Sequence, residues 1–298
     1  MTYALRLTPN ALPNVRGIYR ENAELKSWFD VGGKAEILFR PADLADLQDF
    51  LKNCPKEIPV QILGAASNVI ISDDGVKGVV IRLSGEFAKI SCEGEIVKAG
   101  AAALCGNVAL HSKNSALAGL EFFSGIPGSV GGAIAMNAGC YGSDISQVLV
   151  SAKALDFNGN LIELSNSDFG FFYRGNKISK NFIFVEAVFK AVKSTIEEVS
   201  EKISELNIQR EKAQPIRAKT GGSTFKNPEE KKAWQLIDEA GCRGMIEGDA
   251  QISEKHCNFM INRGKASAQN LIDLGNKVKK LVQKKSGINL EWEIKILK

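Results

Sequence analysis

Histidine is scarce in this sequence, and its cysteines are never closely paired. There are two histidines and six cysteines among 298 residues, and no two cysteines have the C-x-x-C spacing. The sequence therefore lacks the ligand spacing of a zinc site, and we expect no bound metal. We expect the thiols to be reduced and mostly buried. His111, alone on a predicted helix, is typical of a packing residue rather than of a base.

Long apolar runs are also missing. Nowhere do about 18 apolar residues follow one another, as a membrane-spanning helix requires. The N-terminal residues lack the continuous apolar core of a signal peptide. We therefore expect a cytoplasmic protein that does not enter the membrane.

A strong charge imbalance is absent. The net charge is +4 at pH 7, and the lysines are spread along the chain except for a run between Lys277 and Lys285. This run lies on a predicted helix whose other side carries Leu274, Val278 and Leu281, so we interpret it as a solvated face. Nucleic-acid binding is not indicated.

Glycine, by contrast, is concentrated between Gly119 and Gly142. The glycines there are spaced too irregularly for one helix or one strand, which indicates a packed loop. Such a loop brings the main chain close to a ligand and offers backbone N–H groups, the usual partners of a diphosphate. A shorter loop of small residues at 64–68, within a broken strand, is a second candidate. Neither loop is the G-x-G-x-x-G fingerprint of dinucleotide-binding folds.

Hydrophobic periodicity predicts a mixture of strands and helices along the whole chain. The Asn158-Gly159 pair predicts a hairpin turn. An amphipathic helix over 195–212 places a domain boundary near residue 195. Further helices are predicted at 43–54, 104–118, 233–240 and 268–285, and strands at 60–63, 69–73, 79–83, 148–156, 160–164 and 182–193.

The end of the chain predicts a strand over 289–296. Leu290, Trp292 and Ile294 alternate with polar residues and would share one face with Ile296. Two glutamates, Glu291 and Glu293, would lie on the other face, and the pattern does not choose between them as chemical candidates.

Six short motifs, taken in order, resemble the UDP-N-acetylenolpyruvoylglucosamine reductases, flavoenzymes of peptidoglycan precursor synthesis. The resemblance runs from about residue 25 to residue 296, and the passage after Arg174 is similar to that of the shorter subtype. The motifs are Gly-Ile-Pro-Gly-Ser-Val-Gly-Gly-Ala at 125–133, Met-Asn-Ala-Gly at 136–139, Tyr173-Arg174, Gly-Ser-Thr-Phe-Lys-Asn-Pro at 222–228, Ser-Glu-Lys-His at 253–256 and Leu-Glu-Trp-Glu at 290–293.

The resemblance implies an α+β fold. Two subdomains of the vanillyl-alcohol-oxidase type would hold FAD, and a C-terminal α/β domain would bind the substrate. On this basis we predict FAD-binding subdomains at 1–83 and 84–194 and a substrate domain at 195–298. The implied activity is NADPH-dependent reduction of UDP-N-acetylenolpyruvoylglucosamine to UDP-N-acetylmuramate, which supports cell-wall biogenesis, cell shape and cell division.

Cofactor and substrate contacts follow from the same resemblance. We expect noncovalent FAD, since neither glycine-containing loop carries a histidine or cysteine positioned for a flavin linkage, and NADPH as co-substrate. We expect a monomer whose partners are NADPH and a UDP-linked amino sugar. The FAD contacts are expected at Gly64, Ser67, Asn68, Gly125, Ile126, Pro127, Gly128, Ser129, Gly131 and Gly132, and the substrate contacts at Tyr173, Lys226 and Asn227.

Three residues are implied to carry the chemistry. Arg174 is expected to hold the substrate carboxylate, which takes up charge as an enolate forms. Glu293 is expected to assist at that carboxylate, and must therefore be protonated or shared with a cation. Ser223 is expected to deliver a proton to the α-carbon, with a neighbouring cation to make it acidic enough.

Each assignment has a plainer alternative when the residue is taken alone. Arg174 could form a salt bridge, Ser223 could belong to a turn or helix cap, and Glu293 could be a solvent-facing strand residue. Two other functions also fit part of the pattern. A flavin oxidase would pass electrons from NADPH to oxygen, whereas a non-catalytic flavin- or nucleotide-binding protein would need neither Arg174 nor Ser223.

The sequence departs from the family pattern at two places. The family usually has three glycines before Ser67-Asn68, where this chain has Gly64-Ala65-Ala66. Gly175-Asn176 stands where a serine commonly follows two places after Arg174. We expect adjusted contacts at both places rather than lost activity.

Overall fold

The structure is a computed structural model and describes residues 7–298. Helices and strands are interleaved along this range. The α-helices are α1 Leu44–Asn53, α2 Cys105–Asn114, α3 Val130–Ala135, α4 Ile145–Val148, α5 Ile196–Ala213, α6 Ala233–Glu239 and α7 Ala268–Ser286. The strands are β1 Ile18–Glu24, β2 Lys34–Arg40, β3 Val60–Ile62, β4 Val69–Ile71, β5 Val76–Ile81, β6 Ile90–Glu93, β7 Ile96–Gly100, β8 Leu117–Ala118, β9 Gly139–Cys140, β10 Ser143–Asp144, β11 Leu149–Asp156, β12 Leu161–Ser165, β13 Phe182–Lys190, β14 Val192–Lys193, β15 Ile246–Glu247, β16 Ala250–Ile252, β17 Met260–Asn262 and β18 Lys295–Leu297.

The chain forms two compact units, and each is assembled from separate stretches of sequence. The first comprises residues up to Ala23 together with Ala35–Ala65 and Lys77–Asn207. The second comprises Glu24–Lys34, Ala66–Val76 and Ile208–Lys298. The division into domains at 1–83, 84–194 and 195–298 stays a prediction.

The first unit contains a four-stranded sheet in the order β1-β2-β5-β3, with β3 and β5 parallel. Helix α1 begins after Asp43, whose side chain accepts the N–H of Asp46 and so satisfies a free donor of the first turn. Phe39 of the sheet and Phe50 of α1 are fully buried with ring centroids 4.6 Å apart. Burial of these apolar faces fixes α1 on the sheet.

A second sheet of the first unit has the order β12-β11-β13-β7-β6 and is antiparallel throughout. The predicted hairpin at Asn158-Gly159 is confirmed, since it joins β11 to β12 and Gly159 has a φ of 79°. Helices α2 and α3 contribute Val108 and Val130 to the core, which also buries Phe123 and Phe189. The glycine-rich stretch passes through this core at Phe123 and continues into α3.

The second unit is built around α7 and a small antiparallel sheet, β15-β16-β17. Helix α7 buries Leu271, Leu274, Val278 and Val282, while Lys277, Lys280 and Lys284 are exposed, which confirms the solvated lysine face. The last strand, β18, pairs in parallel with β4, so that Ile296 lies beside Ile70.

Two predicted elements are clearly longer than the observed ones. The helix expected over 104–118 ends at Asn114, because Leu117–Ala118 pair instead with Val192–Lys193. The closing strand expected over 289–296 is limited to Lys295–Leu297. The N–H groups of Glu293 and Ile294 converge on the carbonyl oxygen of Thr224 at 2.9 and 3.5 Å, a pattern that a regular strand does not allow.

Within residues 7–298 no helix is long and apolar enough to cross a membrane. The same part of the chain holds no cluster of three or more His, Cys, Asp or Glu side chains suited to a metal ion. All six cysteines are free thiols. Burial raises the pKa of the Cys105 thiol to about 12, so this cysteine packs as an apolar group.

Candidate functional site

The two glycine-containing loops of the sequence meet in the first unit at Ser129. Gly64 and Gly132 are both exposed. A Cβ atom on Gly64 would lie 2.6 Å from the Ser129 hydroxyl oxygen, and one on Gly132 would lie 3.5 Å from the same oxygen. Bare backbone from both loops therefore flanks one serine hydroxyl, and a side chain at position 64 would fill the space.

The loop at 125–132 is held rigidly by the chain that precedes α2. The N–H groups of Val130 and Gly131 are donated to the carbonyls of Ala103 and Ala101 at 2.9 and 2.8 Å. Gly128, with a φ of 130°, accepts the N–H of Cys105 at 3.0 Å. The N–H of Gly131, an expected FAD contact, is thus engaged inside the protein.

Several predicted FAD contacts have a packing reason for their identity. A Cβ on Gly125 would lie 2.8 Å from the sulfur of Cys140, and one on Gly131 would lie 3.0 Å from the Cβ of Ala101. Ile126 is part of the core, whereas its neighbour Pro127 is half-buried. These residues shape the loop from the inside.

Ser67 and Asn68 belong to the second unit. Ser67 is buried, and the side-chain amide of Asn68 donates to the carbonyl of Glu293 at 3.1 Å. The carbonyl of Asn68 in turn accepts the N–H of Lys295 at 3.0 Å. Asn68 therefore anchors the closing segment that carries Glu293.

Ala66, one of the alanines that replace family glycines, has a φ of 56°. A left-handed conformation costs an L-residue about 1–2 kcal/mol, a cost that glycine does not incur. Ala66 therefore holds a backbone conformation that glycine would adopt without this cost.

Arg174 stands on a two-residue turn of the first unit. Phe172 and Gly175 exchange backbone hydrogen bonds of 3.0 and 3.1 Å across it. Arg174 has a φ of 59°, and its guanidinium carbon lies 5.1 Å from the centroid of the Tyr173 ring. Phe172 and Tyr173 are each half exposed, and Arg174 is half-buried.

Gly175 is required by the geometry of this turn. A Cβ at this position would lie 2.6 Å from two atoms of the Phe172 ring. Glycine at position 175 therefore leaves room for the Phe172 ring.

Ser223 lies in the second unit on an extended segment between the segment that carries Phe259 and the closing segment that carries Glu293. It follows Gly222, whose φ is 81°, and bridges to Phe259 in an antiparallel manner. The next residue, Thr224, is fully buried and accepts the N–H of Glu293 at 2.9 Å. The backbones that carry Ser223 and Glu293 are thus adjacent.

Asn258 is a site-supporting residue that sequence reasoning missed. It is 4% exposed, and its side chain both accepts the N–H of Phe225 at 3.0 Å and donates to the carbonyl of Phe225 at 2.8 Å. Its own carbonyl accepts the N–H of Thr224 at 2.7 Å. An asparagine inside the apolar run Cys-Asn-Phe-Met at 257–260 is the signal that could have revealed it.

His256 supports Asn258. Its Nδ1 atom accepts the N–H of Asn258 at 3.3 Å, and its ring lies edge-on to Phe259 at 4.8 Å. Burial lowers the pKa of His256 from its ordinary value, and the positive charge of Arg243 acts in the same direction. A neutral imidazole is the form that this hydrogen bond needs.

The structure separates the two glutamates that the sequence pattern left equivalent. The side chain of Glu291 is 75% exposed and pairs with Lys226 at 3.2 Å. Glu293 is half-buried, next to Thr224. Asn227 accepts the N–H of Ala233 at 3.0 Å and so stabilises the start of α6.

The residues at Gly64, Ser129 and Gly132 fit the phosphate part of FAD. Exposed glycines leave no side chain between ligand and backbone, and the Ser129 hydroxyl can donate to an anionic oxygen.

Comparison with known proteins gives the family. Residues 214–297 match the UDP-N-acetylenolpyruvoylglucosamine reductase C-terminal domain, and residues 35–165 match an FAD binding domain family. The chain is 48% identical over 291 residues to UDP-N-acetylenolpyruvoylglucosamine reductase of Wolbachia sp. subsp. Drosophila simulans (strain wRi), covering 96% of this chain and 98% of the relative. Identity to the reductase of Parvibaculum lavamentivorans is 49% over 286 residues, covering 95% and 92%.

A solved structure agrees with the sequence relatives. The UDP-N-acetylenolpyruvylglucosamine reductase (MurB) from Thermus caldophilus superposes with a TM-score of 0.83 at 30% identity, covering 96% of this chain and 100% of that one. The predicted fold class, an FAD-binding fold followed by a C-terminal substrate domain, is confirmed. The chain therefore belongs to the family of UDP-N-acetylenolpyruvoylglucosamine reductases (MurB).

Proposed function

We propose that this protein reduces the enol ether of UDP-N-acetylenolpyruvoylglucosamine to UDP-N-acetylmuramate, with NADPH as the electron source. The observation that carries the proposal is family similarity along 96% of the chain, together with the presence of Arg174, Ser223 and Glu293. Bound FAD would supply hydride transfer, which no amino-acid side chain provides.

Arg174 would bind the substrate carboxylate. A guanidinium offers two parallel N–H donors to a carboxylate, and its charge stabilises the enolate that forms as hydride adds to the double bond. The turn between Phe172 and Gly175 supports this role, because it fixes the backbone of Arg174 while the side chain stays partly exposed. Tyr173 would contact the same substrate.

Ser223 would hold the proton that completes the reaction. When hydride has added to one carbon of the double bond, the α-carbon carries the negative charge and takes a proton from the serine hydroxyl. Glu293 would assist at the carboxylate, and its backbone is fixed beside Thr224. Lys226 and Asn227 would bind other parts of the substrate.

Spectroscopy of the purified protein tests the proposal. We expect flavin absorbance that is released into the supernatant on acid precipitation, because the cofactor is noncovalent. Under anaerobic conditions NADPH should bleach the absorbance, and UDP-N-acetylenolpyruvoylglucosamine should restore it with a product heavier by two hydrogen atoms. Restoration by oxygen alone, with no change in the nucleotide sugar, would indicate a flavin oxidase.

We also propose that NADPH and the nucleotide sugar use one site in turn, in a cytoplasmic monomer that binds no nucleic acid and no membrane. The absence of a dinucleotide fingerprint from the sequence supports a shared site. Parallel lines in double-reciprocal plots are expected, and intersecting lines that require a ternary complex would contradict the shared site.

Light scattering after size exclusion tests the oligomeric state, and we expect the mass of one chain.

A further inference from the structure

Two buried asparagines connect the turn that carries Arg174 to helix α3. Asn176 is 8% exposed, and its amide nitrogen donates to the carbonyls of Ile134 and Ala135 at 2.9 and 3.4 Å. Its amide oxygen accepts the N–H groups of Ile178 and Ser179 at 3.1 and 2.7 Å. All these hydrogen bonds are to backbone groups, in α3 on one side and in the chain that follows the arginine turn on the other.

Asn137 makes the reciprocal connection. It follows α3, is 4% exposed, and donates from its amide nitrogen to the carbonyl of Phe172 at 3.2 Å. Its amide oxygen accepts the N–H of Ser146 at 3.0 Å. Buried side-chain hydrogen bonds therefore hold the turn on both sides, at Phe172 before Arg174 and at Asn176 after it.

Helix α3 is itself fixed at its other end. Val130 and Gly131 donate to the carbonyls of Ala103 and Ala101, directly after the Ser129 loop. A buried amide that makes all its hydrogen bonds restricts the backbone it joins, since breaking them leaves unsatisfied groups away from water. The loop and the arginine turn are thus two ends of one rigid piece of backbone.

We propose that Asn176 and Asn137 are positioning residues that hold Arg174 in register with the Ser129 loop, so that a substrate carboxylate on Arg174 is placed correctly for hydride transfer. This inference rests on the proposed function. Displacement of a reacting group by about 1 Å can cost about 100-fold in rate. Neither asparagine need touch the substrate.

The experiment is a double-mutant cycle measured on the holoenzyme. In Asn176→Ala we expect reoxidation of the flavin by UDP-N-acetylenolpyruvoylglucosamine to slow by about 10- to 100-fold. Bleaching by NADPH should stay within about 2-fold of the wild type, because the bonds of Val130 and Gly131 keep the Ser129 loop in place. In an Arg174→Ala background the same substitution should change reoxidation by less than about 2-fold, since the group it positions is gone.

Gln48→Ala is the matched control. Gln48 also donates from its side-chain amide to a distant backbone carbonyl of the first unit, that of Gly159 at 3.0 Å, and it shares no hydrogen-bond partner with Asn137 or Asn176. We expect it to lower the melting temperature comparably while leaving reoxidation unchanged. Asn176→Asp keeps the acceptor but turns a carboxylate oxygen towards the carbonyls of Ile134 and Ala135, so we expect reoxidation at least as slow as in Asn176→Ala.

Equal effects of Asn176→Ala with and without Arg174 would overturn the proposal, as would parallel losses in both half-reactions. Failure of the proposed function would look different. In that case Arg174→Ala alone would reoxidise at the wild-type rate.

Discussion

Arg174 adopts a backbone conformation that L-residues avoid, at the place where the substrate carboxylate is proposed to bind. With a φ of 59° it lies in the left-handed region. Residues kept in such conformations often occur at functional sites, because the surrounding structure holds them there for a purpose other than stability.

We predict that Arg174→Gly is more stable than Arg174→Ala by about 1 kcal/mol, although both lose the guanidinium. Glycine accepts a positive φ without strain, whereas alanine keeps the cost of about 1–2 kcal/mol, partly offset by the higher unfolded-state entropy of glycine. Urea denaturation of the two variants measures the difference. Equal midpoints would contradict strain at this position.

Ser223→Ala separates catalysis from flavin binding. We predict that NADPH still bleaches the flavin at a nearly normal rate, because that half-reaction involves no substrate carbanion. Reoxidation by the enolpyruvyl substrate should slow by about 100- to 10,000-fold, as expected when a general acid is lost. Stopped-flow absorbance records both steps.

Ser286→Ala is a suitable control, since it removes a serine hydroxyl from the last turn of α7, where it donates to the carbonyl of Val282. If Ser223 only shapes the backbone, its variant would show lower stability with both half-reactions preserved. That result would remove Ser223 from the mechanism.

Among the elements, α7 shows what local sequence can and cannot predict. Its observed range, Ala268–Ser286, agrees with the predicted helix at 268–285 because its end signals are local. Ser267 and Asn270 form a capping box, and Gly287 ends the helix with a φ of 75°. The helix has a further cap from Asp73, 195 residues away, which accepts the N–H of Ala268 at 2.8 Å.

We predict that Asp73→Ala destabilises the protein by about 1 kcal/mol. Its carboxylate also accepts the N–H of Gln269 at 3.0 Å, so the substitution removes two hydrogen bonds and a favourable charge at the helix N-terminus. Urea denaturation at low and high salt measures the loss. Asp74→Ala, at the neighbouring exposed position, is the control and should have little effect.

The candidate site shows the same limit of prediction. Its residue types were read from motifs, but the meeting of Gly64 with Ser129 depends on tertiary packing of two loops far apart in sequence. The supporting asparagines at 137, 176 and 258 give no periodic signal, because each bonds to backbone groups that only the fold brings near. The predicted closing strand is too long for a related reason. Alternation of apolar residues does not reveal that the carbonyl oxygen of Thr224 accepts two of the segment's N–H groups.

At the scale of the whole molecule, acid should weaken the fold through His256. Its lowered pKa means that the unfolded chain binds a proton more readily than the folded one does. The stabilising contribution is therefore present above the ordinary histidine pKa of about 6.5 and is lost as the pH falls from there towards the lower folded value. Protonation would also break the bond from Asn258 to Nδ1.

We predict that the urea midpoint falls more between pH 7.5 and pH 5.5 in the wild type than in His256→Gln. Glutamine has an acceptor oxygen for the N–H of Asn258 and does not titrate. Carboxylates contribute equally to both proteins, so the difference between the two slopes isolates the histidine. Identical slopes would show that His256 does not titrate with unfolding.

The second unit combines two short segments from the early part of the chain with its last 91 residues, Ile208–Lys298. Strand β4 cannot pair with its parallel neighbour β18 until β18 has been synthesised, since Ile70 pairs with Ile296, 226 residues later. At a synthesis rate of roughly 5–20 residues per second, the ribosome takes on the order of 10–45 s to cover that distance. During translation, the edge of β4 that later pairs with β18 is therefore unpaired for this time, and chaperones would have an opportunity to bind it there.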